Sequence, residues 1–163
     1  MEIKVVRRIM EMNEQHAEVV RQRLREAGVV ALNLIGAPGS GKTSLIECAI
    51  RELKHEVGIG VIEGDPDTTR DAERIAQLDV PVVQINTEGG CHLEATMVLR
   101  ALDEMNLNGL DLLFIENVGN LVCPVVFDLW CSTWARRTVW LWSAQRRGTI
   151  SPPNTPPCFG RRR

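Results

Sequence analysis

No acidic residue follows Asp128, no apolar run reaches the ~18 residues of a membrane span, and the five cysteines form no paired framework. Each absence excludes something. Without a membrane-length run, no transmembrane helix is expected. The first ten residues, MEIKVVRRIM, alternate charged and apolar groups and carry no apolar core before a small-residue cleavage site, so no secretory signal is expected either. Unpaired cysteines point to reduced thiols and a cytoplasmic chain. No internal repeat is present.

The net charge of −2 conceals an uneven distribution. Residues 1–128 hold 12 of the 19 basic residues and all 21 acidic ones. The remaining seven, all arginine, lie in the tail together with all four tryptophans. An acidic body is a poor general binder of nucleic acid. The basic tail reads as an arm for RNA, DNA or anionic lipid, or as something other than a selected sequence. At 163 residues, 44% hydrophobic and 25% charged, the chain has the size and composition of one soluble domain with a real core.

Hydrophobic periodicity alternates between helix and strand. Residues 5–27 read as a helix, with Val5, Ile9, Met12, Val19, Val20 and Leu24 on one face and Gly28 as its stop. VVALNLIG (29–36) is a strand, KTSLIECAIRELKHE (42–56) a helix, GIGVIEG (58–64) a strand and TRDAERIAQL (69–78) a helix. PVVQI (81–85) is a third strand, CHLEATMVLRALDEM (91–105) a helix and LDLLFIE (110–116) a fourth strand. This alternation predicts an α/β fold, a mostly parallel sheet flanked by helices on both faces. Such sheets bind ligands at the carboxyl ends of their strands.

The motifs sit at those ends. GAPGSGKT (36–43) fits G-x-x-x-x-G-K-[ST] between a predicted strand and a predicted helix, the context that gives the pattern its meaning. Gly36, Ala37, Gly39, Ser40 and Gly41 would present backbone N–H groups to phosphate oxygens, with Pro38, which has no N–H, as part of the same loop, at the positive end of the helix that continues through Ser44. Lys42 would reach the β- and γ-phosphates, and Thr43 would bind Mg²⁺. In EGDPDTTRD (63–71), Asp65 follows its strand directly and is a candidate for Mg²⁺ or for orienting the attacking water. Asp67 and Asp71 are candidates that would equally serve as helix-start charges. Glu116, ending the apolar strand of LLFIENVGN, is the candidate for a second Mg²⁺ carboxylate.

Cys91 and His92 stand at the predicted start of a helix, a position that favours thiolate. Cys123, in LVCP, follows another strand, so the two loops can approach. Two thiols and an imidazole suit Zn²⁺ or Ni²⁺, although buried cysteine and structural histidine are the commoner reading of such residues. Cys48 fits the apolar side of its helix, and His16 and His55 look like surface residues.

ALNLIGAPGSGKTSLIE, IEGDPDTTRDAERI, VPVVQINTEGGCHLEATMV and DLLFIENVGNLVCP together resemble the GTPase domain of the HypB family, nickel-incorporation factors of [NiFe]-hydrogenase maturation that are related to the urease accessory GTPase UreG. The resemblance runs over about residues 1–129. It implies a phosphate-loop NTPase of the SIMIBI-type G domain, truncated here at its C-terminal side. It further implies GTP hydrolysis with Mg²⁺, a homodimer when nucleotide is bound, and metal at the dimer interface on Cys91, His92 and Cys123. The implied partners are the nickel metallochaperone HypA and the hydrogenase large subunit, with no nucleic acid and no membrane. The N-terminal cysteine cluster or His-rich stretch of some members is missing, so nickel storage is not implied. Two other classes stay in view: a nucleotide-independent nickel or zinc binder, and a different phosphate-loop ATPase or kinase.

After about residue 129 the resemblance stops, and the guanine-reading N-K-x-D motif does not occur. Codons permitted for residues 145–161, read one base out of frame, spell TEGDDKPPKYPAMFRA, close to the segment the family places here. The same shift turns VWLWSA (139–144) into an apolar strand such as VVVSA. Residues 130–163 are therefore expected to be an out-of-frame, disordered tail. G-rich codons in the wrong frame explain its tryptophan and arginine. A chain without N-K-x-D is expected to bind nucleotide weakly or without base preference and to be poorly stable.

Overall fold

The computed structural model describes the backbone of residues 2–66, 68–120 and 140–142, and the side chains of 11–66 and 68–120. Helix α1 spans Glu2–Ala27. It ends in a Schellman motif: Gly28, at φ 71, donates from its N–H to the Arg25 carbonyl, and Val29 donates to the Leu24 carbonyl. Its buried stripe is Asn13, Ala17, Val20 and Leu24, spaced four, three and four apart, with Arg21 beside it. Met12 and Val19, expected on that face, are 53% and 40% exposed. Asn13 and Arg21 take their place because each has polar partners there, Asn13 at the start of α4 and Arg21 on its own helix. The Asn13 side-chain Oδ1 accepts from the Ala95 N–H, and Arg21 pairs with Glu14 and Glu18.

Strand β1 (Val30–Gly36), α2 (Lys42–Leu53), β2 (Ile59–Asp65), α3 (Arg70–Ala76), β3 (Val82–Asn86), α4 (Ala95–Glu104) and β4 (Leu112–Glu116) follow the expected alternation. With β5 at Trp140–Trp142, the sheet order is β3-β2-β4-β1-β5, and every pairing is parallel. Because β4 lies between β1 and β2, the carboxyl ends of the three strands that carry the motifs stand side by side. Strand alternation divides the core in two. Ile62, Leu113 and Ile115 face α1 and α4, with Leu24, Val98 and Leu102. Val61, Ile59 and Phe114 face α2 and α3, with Ile46, Ile50 and Ile75.

Three local expectations need correction. Helix α4 begins at Ala95, after an extended Glu94, so Cys91 and His92 lie in the preceding loop and no helix end acts on the thiol. His16 is half-buried, its Nδ1 2.7 Å from Thr96 Oγ1, so it belongs to the α1–α4 contact rather than the free surface. Cys48 is buried on α2 as expected, but it is disulfide-bonded, against the reading of uniformly reduced thiols. In the tail, Trp140–Trp142 form β5 beside β1, at the place where the shifted reading put a strand. The other expectations for residues 130–163 lie outside the described residues.

Candidate phosphate and metal site

The loop between β1 and α2 is shaped by glycine where glycine is required. Gly39 and Gly41 have φ 67 and 89, and left-handed residues alternating with ordinary ones turn successive N–H groups to one side. A Cβ on Gly36 would lie 2.7 Å from Ser40 Oγ. Helix α2 opens at Lys42, and its cap, Gly41, contributes no side-chain hydrogen bond, which leaves the first N–H groups to a ligand. Lys42 and Thr43 both meet Glu116. The Thr43 hydroxyl donates to Glu116 Oε1 at 2.9 Å, and Lys42 Nζ lies 3.8 Å from the same oxygen. Residues after β4 fold back over the loop: Asn120 bridges to Gly36, and a Cβ on Gly119 would come within 2.9–3.1 Å of Pro38.

Four carboxylates gather below. Glu63 and Glu116 are directly opposite in the β2–β4 register and are 2% and 5% exposed. Ligand oxygens of Glu63, Asp65 and Asp71 lie within 4.8 Å of one another. Burial, then the charges of Glu116, Asp65 and Asp71, push the Glu63 carboxyl up to about 8, against a smaller opposing pull from Lys42. Burial likewise raises Glu116 to about 7, opposed by Lys42 and by the Thr43 hydrogen bond. Glu63 Oε2 and Glu116 Oε2 are buried without a hydrogen-bond partner. Unpaired buried carboxylate oxygens converging from two strands fit a hard divalent cation such as Mg²⁺, which takes only oxygen ligands. Asp65 also accepts the Thr68 N–H at 2.6 Å and so shapes the turn after β2. Asp71, in the first turn of α3, pairs with Arg74, which also reaches Glu47 at 2.9 Å.

The structure thus brings Lys42, Thr43, Asp65, Asp71 and Glu116 to one end of the sheet. Glu63 was missed by sequence reasoning. Its period-two spacing from Asp65 was the available signal, but its facing of Glu116 depends on strand order. Cys91 Sγ lies 3.5 Å from His92 Nδ1, and His92 Nε2 lies 4.0 Å from Glu94 Oε1, so a thiol and an imidazole share one loop. Cys123 and Asp67 lie outside the described residues.

Comparison with known proteins gives the family of the chain. The CobW/HypB/UreG nucleotide-binding domain matches residues 30–141. The hydrogenase maturation factor HypB of Rhizobium leguminosarum bv. viciae is 47% identical over 127 residues, covering 78% of this chain and 42% of the relative. Among solved structures, HypB from Helicobacter pylori in complex with nickel superposes with a TM-score of 0.67 at 41% identity, over 72% of this chain and 56% of that one. HypB from Archaeoglobus fulgidus gives a TM-score of 0.66 at 46% identity, over 73% and 58%. The chain therefore spans between about two fifths and three fifths of the proteins it matches. By its sequence match, fold and phosphate loop, this chain belongs to the CobW/HypB/UreG nucleotide-binding family.

Proposed function

We propose that the chain is the nucleotide-binding part of a cytoplasmic GTPase that assists nickel insertion into [NiFe]-hydrogenase, acting as a homodimer with HypA and the hydrogenase large subunit as partners. The observation that carries the reading is the meeting of Lys42, Thr43 and Glu116 at one point of the sheet edge, with Glu63, Asp65 and Asp71 beside it. Lys42 and the backbone N–H groups of residues 36–37 and 39–44 neutralise the phosphates and hold the γ-phosphoryl group in line. Thr43, Asp65 and Glu116 are the residues that would hold Mg²⁺, with Glu63 completing the oxygen set; the ion would supply neutralisation of phosphate charge. Asp71, whose carboxylate lies within 4.8 Å of those of Glu63 and Asp65, orients the attacking water. Cys91 and His92, with Cys123, take up Ni²⁺ as cargo or Zn²⁺ in its place, thiolate and imidazole being ligands that both ions accept.

The test is phosphate release and nucleotide affinity for the chain and for Lys42→Ala, with GTP and ATP compared, together with nickel titration. The reading expects Lys42→Ala to abolish nucleotide binding and hydrolysis. Nickel binding that is indifferent both to Lys42→Ala and to nucleotide would instead favour a nucleotide-independent metal binder. ATP preference, or a phosphoryl acceptor, would favour another phosphate-loop enzyme. Because N-K-x-D is missing, GTP is expected to be bound with little preference over ATP unless the reading frame after residue 129 is restored.

A further inference from the structure

Asn117 joins the phosphate site to the Cys91–His92 loop. Asn117 follows Glu116 directly and is 1% exposed. Consecutive residues at a strand end point to opposite faces of a sheet. Glu116 accordingly meets Lys42 and Thr43 on the α2 side, while Asn117 turns to the other side. There its Oδ1 accepts the Leu93 N–H at 3.1 Å. Its own N–H donates to the Leu34 carbonyl at 3.0 Å, on the strand that leads into the phosphate loop.

Leu93 is held a second time. Its side chain, 0% exposed, packs on Gly64, where an added Cβ would meet three of its atoms at 2.7–2.9 Å. Gly64 lies between Glu63 and Asp65. The loop is also fixed at both ends. Thr87 donates its N–H to the Asp65 carbonyl at 3.1 Å, and Ala95 donates to Asn13 Oδ1 at 2.9 Å. Leu93 is therefore the point at which a shift of Glu116 or of the β2 end must be felt by the neighbouring Cys91 and His92.

We infer that Asn117 is a positioning residue which, through the Leu93 amide, makes the geometry of the Cys91–His92 loop depend on occupancy of the phosphate site. The inference rests on the proposed nucleotide and metal roles, and it deepens them by naming the path between them. Coupling between two sites is a ratio of affinities, and ratios of about fivefold and above are usual. Asn13 supplies the control: it is a buried acceptor on the same loop–helix junction, with no link to Glu116.

The experiment titrates Ni²⁺ into the full chain, without nucleotide and with a saturating non-hydrolysable Mg²⁺–GTP analogue. The same titrations are made for Asn117→Ala, Gly64→Ala and Asn13→Ala, and the ¹⁵N–¹H resonance of Leu93 is followed as nucleotide is added. The wild type is expected to change its nickel Kd at least about fivefold on nucleotide binding. Asn117→Ala and Gly64→Ala are expected to bring that ratio within about twofold of one and to silence the Leu93 response, while Asn13→Ala keeps both. Gly64→Ala removes no polar group, so it decides the matter if Asn117→Ala fails to fold. A ratio kept in Asn117→Ala or Gly64→Ala, or lost equally in Asn13→Ala, overturns the inference. So does a wild type that binds both ligands with no ratio between them. A wild type that binds no nucleotide overturns the underlying site reading as well, and is recognised by the absence of any nucleotide isotherm.

Discussion

Glu63→Gln should stabilise the empty chain, and the gain should grow with pH. Glu63 is 2% exposed, with Oε2 unpartnered and Glu116 directly opposite. Asp65 and Asp71 are further negative neighbours, and Lys42 opposes them with a smaller pull. Its carboxyl is raised from 4.5 to about 8. A raised acid favours the protonated folded state. Its stabilising share is complete below the unfolded value and is lost as pH rises through the folded one. At roughly 1.4 kcal/mol per pKa unit, the whole loss is on the order of 5 kcal/mol above about pH 8. Between about pH 5.5 and 8.5 the part that is lost is ~3 kcal/mol. Glutamine keeps the shape and cannot ionise, so the variant escapes that loss, while the parallel titration of Glu116 remains in both proteins. Urea unfolding followed by circular dichroism at the two pH values gives the difference directly. The stability gap between variant and wild type should widen by ~3 kcal/mol from about pH 5.5 to 8.5. A gap constant within about 0.5 kcal/mol would refute the picture of a buried, repelled carboxyl. The same variant should bind Mg²⁺–nucleotide more weakly, because glutamine offers the ion no charge; a residue that strains the empty fold is what a cation site requires.

The other predictions are simpler. Gly119→Ala should push the 116–120 segment off Pro38, given contacts of 2.9–3.1 Å against a ring and backbone; the expected result is about tenfold weaker nucleotide binding and ~1–3 kcal/mol of lost stability, by fluorescence titration and urea unfolding. Gly28→Ala, at φ 71 with open space around its Cβ, should cost only the left-handed strain of ~1–2 kcal/mol and leave nucleotide affinity unchanged. Cys91→Ser should weaken nickel at least about tenfold while sparing nucleotide affinity, since a hydroxyl is a poor replacement for thiolate toward nickel. Equal nickel affinity in the two proteins would remove Cys91 from the metal site.

The alternation of elements and the phosphate loop were legible because both are local. Helix α2 and β1 follow from periodicity, and residues 36–43 carry their meaning in the backbone freedom of Gly39 and Gly41. What sequence could not supply was strand order. Nothing in residues 58–65 or 110–116 says that β4 inserts between β1 and β2, yet that insertion sets Glu63 against Glu116 and Asn117 against Leu93. The face of α1 was misread for a related reason. Met12 and Val19 satisfy a hydrophobic count, but Asn13 and Arg21 satisfy the partners that α4 and the helix's own glutamates provide. Polar residues whose burial depends on a tertiary partner leave no periodic trace.

The tail makes the same point from the other direction. Tryptophan and leucine at 140–142 pair with Leu34, Ile35 and Gly36, the last residues before the phosphate loop. The frame argument places an apolar strand at these positions whichever way the bases are read. Flanking β1 by a fifth strand asks only for apolar residues with extended propensity, and a valine or a tryptophan meets that demand. Recognising guanine asks for one carboxylate at one place. On the proposed shift of frame, the first kind of requirement is preserved by composition and the second is lost, so the sheet of this chain and its base selectivity are expected to part company. Comparing GTP against ATP affinity before and after restoring the frame measures that separation. Selectivity gained on restoration, with little change in phosphate-loop affinity, is the outcome the argument requires; strong GTP preference in the chain as it stands would contradict it.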